Sequence, residues 1–292
     1  MRILITGGSG FIGRNLAEQL GEGHSVAAPG RRELDLLDAA AVREFVGRGG
    51  FDVVIHAAGE RANRLLGCGP ETLERNCRMF FNLARNAPAF GRMFFLSSGA
   101  VYDRAQPMHR ISEDAYDAHV PAEPYGFSKY VCAQAIDAMD KVYELRLFGV
   151  FGPHEDWRVR FISNACCRAA WDMPVVIRQN VFFDYLDVAD LGGVLERLLA
   201  KRLSHRHYNV CTGRPCDLKT LAAKVVAASG KPLEILVRHD GLGHEYSGDN
   251  TRLAGEIPDF RFRDMDDSIT RLYRWLQERK LSIDPELLRF DE

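Results

Sequence analysis

The stretch from Arg2 to Gly13, reading RILITGGSGFIG, leaves the start of this chain few alternatives. The apolar run Ile3, Leu4, Ile5 reads as a buried parallel strand, and it breaks at once into glycines at 7, 10 and 13. An amphipathic helix follows, with Ile12, Leu16, Ala17 and Leu20 on one face. Strand, glycine turn and helix in that order open a doubly wound α/β sheet.

Each glycine has a physical task. Gly7 permits the tight turn off the strand, Gly10 lets backbone approach a pyrophosphate, and Gly13 lets the helix pack close to the strand. The helix N-terminus then offers free N–H groups and a positive dipole end to phosphate oxygens. The spacing is G-x-x-G-x-x-G, and its position between strand and helix gives it weight.

The rest of the first half alternates strands with helices. Strands are predicted at 25–28, 51–56, 92–97 and 142–148, and helices at 39–46, 71–87 and 125–139. This predicts a Rossmann doubly wound parallel sheet over 1–150. After Gly152-Pro153 the regularity loosens: helices are expected at 161–171, 189–200, 218–228 (capped by Asp217) and 268–278, with a short strand at 208–211. Residues 151–292 are therefore expected to form mainly a smaller, interleaved substrate-binding subdomain, with 184–210 returning to the first domain. The polar end, 282–292, is expected to be loosely held.

The totals suit such a protein. Of 292 residues, 46% are hydrophobic and 27% charged, ordinary values for a folded chain. A net charge of −2 gives no reason to expect nucleic-acid binding, and no apolar run approaches the ~18 residues of a membrane span. The N-terminus passes straight into a strand, so no leader is expected and the cytoplasm is the expected location. Seven cysteines (Cys68, Cys77, Cys132, Cys166, Cys167, Cys211, Cys216) without a C-x-x-C read as reduced core thiols, not a metal site. His205 and His207 read as surface histidines.

The chemistry gathers around Tyr125 and Lys129. At i and i+4 they share a helix face, and an ammonium beside a phenol favours its phenolate, which suits a general acid/base. The strand at 92–97 ends in Ser97 and Ser98, and strand C-terminal ends face the ligand crevice of such a sheet. Ser98 can hydrogen-bond a substrate oxygen and align it with Tyr125.

Together these segments resemble the extended short-chain dehydrogenase/reductase family, in particular its sugar-nucleotide epimerases, dehydratases and reductases. The resemblance spans nearly the whole chain, through TGGSGFIG (6–13), HAAG (56–59), Asn76, SSGAVY (97–102), YGFSK (125–129), RLFGVFGP (146–153), FDYLDVAD (183–190) and YNVCTG (208–213). It implies that Gly7, Gly10, Phe11, Ile12 and Gly13 wrap a dinucleotide pyrophosphate, with Asp35 and Leu36 near the adenine. It places Ala57, Ala58 and Gly59 behind the nicotinamide ribose, which Lys129 also meets, and Phe148 near the nicotinamide, and it counts Asn76 among the cofactor-binding residues. Ser98 and Tyr125 flank the reacting sugar carbon. A homodimer through the helices at 71–87 and 125–139 is also implied.

Cofactor choice can be argued from charge. The end of the second strand reads AAPGRR (27–32), with Arg31 and Arg32 and no carboxylate. Arginine forks suit a 2′-phosphate, which points to NADP, with NAD as the alternative. The run 30–38 also resembles the NADPH-using GDP-fucose synthase and dTDP-rhamnose synthase type reductases. Gly149 and Phe183 depart from the family's common Asn and Arg, and Arg158, Arg160 or Arg178 are candidates to meet the substrate diphosphate instead. His154 is either a second acid or a surface loop residue. The expected function is an oxidoreductase of a nucleotide-linked sugar, with reduction of a 4-keto sugar favoured and 4-epimerisation as the alternative. A non-catalytic cofactor-sensing protein is the reading from another class.

Overall fold

The computed structural model describes residues 1–60 and 69–289. Strands β1 (Arg2–Thr6), β2 (Ser25–Ala27), β3 (Val53–His56) and β4 (Arg92–Ser98) join Val142–Leu147 and His207–Val210 in a six-stranded sheet. Every adjacent pair is parallel, in the order His207–Val210, Val142–Leu147, β4, β3, β1, β2. The chain steps from β1 out to β2, then crosses back to β3 on the other side of β1. The order thus reverses between β1 and β3, and a doubly wound sheet binds ligands outside the strand ends at that point.

Both faces of the sheet are covered, which explains the unbroken apolar runs. Ile3 and Ile5 face α1 (Phe11–Leu20), while Leu4 between them faces the layer of α2 (Ala39–Gly49), α3 (Pro70–Ala84) and α4 (Pro124–Ile136). A second core is built by α5 (Phe161–Ala170), α7 (Leu218–Ser229) and α9 (Met265–Gln277) around Ile162, Leu221 and Ile269. The parallel pair Val175–Asn180 and Ile235–Leu242 flanks it. Between these runs, α6 (Val188–Leu199) packs on α1, and His207–Val210 completes the large sheet. The short helix α8 (Thr251–Glu256) adds Leu253 to the sheet core. Among the described residues no helix is long and apolar enough to cross a membrane.

The structure departs from the sequence expectations in several places. The long helices end early, at Ala84 and Ile136, where 71–87 and 125–139 were expected. The 282–289 end is not loose: Ile283 and Leu288 are buried and Arg168 donates to the Leu288 carbonyl at 2.7 Å. His207 is not a free surface histidine. The strand register sets it beside Glu144, and its ring bridges the Glu144 carboxylate (2.7 Å) and Asp137 (2.8 Å). Glu144 is itself buried, and Arg146 donates to it at 2.7 Å and to the Tyr102 hydroxyl at 2.8 Å. The described cysteines are free thiols, most of them in the cores, and Cys68 lies outside the described residues.

Asp184, in the FDYLDVAD segment, braces the second half. It is fully buried, and its carboxylate accepts from the Thr212 amide (2.8 Å) and hydroxyl (2.7 Å) and from the Gly213 amide (2.7 Å). Asp184→Ala strands those donors, so stability should drop by about 3 kcal/mol. Urea denaturation checks this, and an unchanged midpoint would refute the bracing role.

Candidate active site

Loops at the C-terminal ends of β1 and β3 meet at the switch point. Gly7 has φ +72°, and a Cβ there would lie 2.9 Å from the Ala58 backbone. A Cβ on Gly13 would lie 2.2 Å from the Gly7 carbonyl, so the first turn of α1 sits directly on the loop. Gly10 caps α1 without any side-chain hydrogen bond, which leaves the first-turn N–H groups facing the crevice. Phe11 is buried and Ile12 half-buried, and both line the cleft described below.

The β3 loop is held from behind. The Asn76 side chain accepts from the Glu60 amide (2.7 Å) and donates to the Glu60 carbonyl (2.9 Å) and to the Ser128 hydroxyl (3.3 Å). Asn76 therefore acts on the 57–60 loop, with its polar atoms already engaged. Beneath lies His56, buried against Thr6 (2.8 Å) and stacked on Phe95. Burial, aided by the Lys129 charge, holds the His56 imidazole down to about 3, so it stays neutral.

Helix α4 begins where Glu123 accepts the Tyr125 and Gly126 amides, each at 2.8 Å, with Pro124 at its first position. That start sets Tyr125 and Lys129 on one face. Lys129 is only 4% exposed, yet its ammonium has no hydrogen-bond or ion-pair partner among the described residues. It lies 4.6 Å from the Phe95 ring centroid and 5.4 Å from that of Tyr125. A Cβ on Gly59 would stand 3.9 Å from it. A buried cation without an anion calls for an acceptor, and a ribose hydroxyl beside the Gly59 loop would satisfy it. The uncapped α1 and this ammonium both fit a nicotinamide dinucleotide.

Ser98 ends β4 and accepts from the Ala100 amide at 3.2 Å, closing the short turn Gly99–Tyr102. Ser98, Tyr125 and Phe148 line a cleft of about 790 Å³, within the usual size of a small-molecule site. Arg158, Arg160 and Arg178 line the same cleft, whereas His154 does not, packing edge-on to Trp275 at 5.0 Å. Arg158 is paired with Asp156 (2.7 Å), and Arg160 and Arg178 have no ion-pair partner among the described residues. Around the second-strand turn, Arg31 and Arg32 are exposed, and Arg31 stands 3.9 Å from Asp35. The Asp35 carboxylate accepts the Leu37 amide (3.0 Å), and the buried Leu36 gives its carbonyl to Asn82 (2.9 Å).

Both departures from the family pattern have a steric reason. A Cβ on Gly149 would lie 2.8 Å from the Asp184 carbonyl and 2.9 Å from the Tyr185 ring. Phe183 packs with Tyr185 (5.5 Å) and Tyr246 (5.4 Å), so an aromatic group fills this wall. Tyr246 and Arg104 also line the cleft, and no periodicity or motif marked them in the sequence. Among the described residues no His, Cys, Asp and Glu group could hold a metal.

An open parallel sheet, an uncapped helix at its switch point and a Tyr–Lys face beside a strand-end serine define an extended short-chain dehydrogenase/reductase. The chain belongs to the NAD dependent epimerase/dehydratase family, whose pattern it matches over residues 3–211. It is 28% identical to ADP-L-glycero-D-manno-heptose-6-epimerase of Cupriavidus pinatubonensis, over 96% of this chain and 99% of that one. It is 29% identical to GDP-6-deoxy-D-mannose reductase of Pseudomonas aeruginosa, over 80% and 82%. The solved structure of RMD from Pseudomonas aeruginosa complexed with NADPH superposes with a TM-score of 0.77 at 25% identity, covering 95% of this chain and 98% of that one.

The neutral His56 makes the site acid-sensitive. An unfolded histidine takes a proton below about 6.5, while the folded one resists until about 3. Stability is therefore full above pH 6.5 and falls as pH drops through that window. His56→Gln should flatten this slope in urea midpoints measured from pH 7 to 4; an identical slope would show that His56 does not carry it.

Proposed function

We propose that this protein is an NADP(H)-dependent oxidoreductase of a nucleotide-linked sugar that reduces a 4-keto sugar. The carrying observation is the composition of one cleft: Ser98, Tyr125, Arg158, Arg160 and Arg178 line it, and Lys129 lies beside Tyr125 with no ion-pair partner among the described residues. The relatives add support, since two bear the names of enzymes acting on nucleotide-linked sugars.

Gly7, Gly10 and Gly13 with the α1 amides would hold the pyrophosphate of a nicotinamide dinucleotide, Lys129 the ribose, and Phe148 one side of the ring. When bound, that group exchanges hydride with a sugar carbon. Tyr125 gives its proton to the sugar oxygen, and Ser98 donates a hydrogen bond to the same oxygen. Lys129 stabilises the charge left on Tyr125. Arg160 and Arg178, with no ion-pair partner among the described residues, meet the substrate diphosphate. The part of the chain from 151 to 292 thereby supplies the sugar-nucleotide side, while 1–150 with the 184–210 return supplies the cofactor side. In the same reading two chains pair through α3 and α4, with Phe81 exposed on α3.

A second reading is 4-epimerisation with retained NAD. One observation favours it: the Glu33 carboxylate stands in the turn after β2, accepting the Gly30 amide at 2.7 Å. The two readings separate on the 2′-phosphate. Replacing both Arg31 and Arg32 by Ala should weaken NADPH about tenfold and leave NADH unchanged, by fluorescence titration. Tightly retained NAD, indifferent to both substitutions, would move the assignment to the epimerase.

Tyr125→Phe should lower kcat by about 10²- to 10⁴-fold on 4-keto nucleotide sugars while the cofactor Kd holds. A protein whose biological output survives Tyr125→Phe would be a sensor of the cofactor and not an enzyme.

A further inference from the structure

The cleft carries one more uncompensated cation than the proposed chemistry uses. Of the five arginines that line it, Arg158 is paired with Asp156 (2.7 Å), and Arg168 is buried and donates to the Pro174 and Leu288 carbonyls. Arg104, Arg160 and Arg178 have no ion-pair partner among the described residues. Arg160 stands at the start of α5 and Arg178 in the strand Val175–Asn180, and together they match the doubly charged diphosphate of a nucleotide-linked sugar. Arg104 comes from elsewhere, on the segment that runs on from Ser98. Glu245, a carboxylate of the same lining, is engaged by the Ser247 hydroxyl and by His109 (2.8 Å) instead.

A built turn holds Arg104 in place. The Asp103 amide bonds back to the Ala100 carbonyl (3.3 Å), in the short turn that Ser98 opens. Asp103 is buried at φ +68°, a left-handed backbone that costs an aspartate energy and persists where the surroundings fix it. Its carboxylate accepts the Ala105 amide (3.1 Å) and its carbonyl the Gln106 amide (3.0 Å), which closes the turn around Arg104. At the far end the Met108 amide bonds to the Glu245 carbonyl (3.1 Å), and Met108 and Glu245 both line the cleft. The next residue, Tyr246, brings its hydroxyl to within 2.7 Å of where a Cβ on Gly99 would lie. The turn therefore bridges the residues that follow Ser98 and the strand that stands against them. The Tyr246 phenol, pushed up to about 12 by burial, feels the opposing pull of the Arg104 charge.

We propose that Arg104 is a specificity-determining residue that receives a carboxylate carried by the sugar, so that the preferred substrate is a nucleotide-linked uronic sugar. The inference rests on the nucleotide-sugar reading above and holds for reduction and epimerisation alike. A hexuronate hangs its carboxylate from the carbon next to C4. With C4 at Ser98 and Tyr125, that carboxylate falls on the side of the cleft where the segment after Ser98 presents Arg104. Its two oxygens match the guanidinium fork and its single charge matches the one cation left over. The neutral hydroxymethyl group of a hexose leaves that cation unmatched. Arg160 and Arg178 thus hold what all nucleotide-linked sugars share, and Arg104 reads what distinguishes one sugar from another.

The test uses matched pairs that differ only at C6: hexose and hexuronate linked to UDP, to GDP and to ADP. Each is titrated calorimetrically into the protein saturated with NADPH, which cannot reduce these alcohols, so the complexes stay intact during the measurement. For the nucleotide that binds, the wild-type protein should hold the hexuronate about tenfold more tightly than the hexose. Arg104→Gln should bring that ratio close to one and leave the Kd of the hexose unchanged, while Arg104→Lys, which keeps the charge and loses the fork, should retain part of the preference. Arg160→Gln should weaken both members of the pair alike. NADPH affinity and the thermal midpoint of each variant serve as controls for folding. A wild-type ratio of one or less, or an Arg104→Gln variant that keeps the wild-type ratio or loses hexose and hexuronate equally, would overturn the role of Arg104 and leave the nucleotide-sugar reading standing. A protein that binds NADPH and none of the six sugars would sink that reading and the inference with it.

Discussion

The backbone contact between Gly7 and Ala58 is the constraint on which the site depends. Two loops leave adjacent parallel strands and meet with no space for a side chain between them. That contact sets the first turn of α1 over the crevice and fixes the course of residues 57–60. Asn76 then ties the second loop to α3 and, through the Ser128 hydroxyl, to α4. The position of Lys129 and Tyr125 relative to the cofactor shelf follows from this short chain of polar contacts. A loop contact at the strand ends is thus linked by side-chain hydrogen bonds to the helix that carries Tyr125 and Lys129.

The second half of the chain answers a different demand, the closing of a cleft over the sheet's edge. It does so with small parallel ladders and aromatic packing instead of another large sheet. Asp184 holds the 212–213 turn, and its neighbours Phe183 and Tyr185 add aromatic rings to the cleft lining. The ring of Tyr185 occupies the space that an Asn at 149 would need. Arg160 and Arg178, on a loop and a strand that the sequence does not juxtapose, line the same cleft.

Much of the fold was legible in the sequence because parallel strands buried on both faces must be almost wholly apolar. Ile3 to Ile5 and Val53 to Ile55 could hardly be anything else. The ends of helices were less legible: α3 and α4 stop a turn early although the helical pattern runs on. Short ladders such as Val175–Asn180 with Ile235–Leu242 escaped notice, since few residues per strand leave no period to read. His207 departs from a surface position for a related reason. Its neighbours in sequence are polar, and only strand register brings Glu144 to it.

The sequence by itself determined the dinucleotide-type turn, the helical pairing of Tyr125 with Lys129 and the serine at the end of a strand. All of these are local: the residues lie within one turn or one helix face, so spacing is enough to state their geometry. Only the tertiary structure decided that Lys129 is buried with no ion-pair partner among the described residues, and that Arg160, Arg178 and Tyr246 share a cleft with Ser98. Those facts depend on contacts between segments far apart in the chain. They are set by the short ladders that join the second half of the chain to the segments beyond the strand ends, and no local pattern encodes that packing.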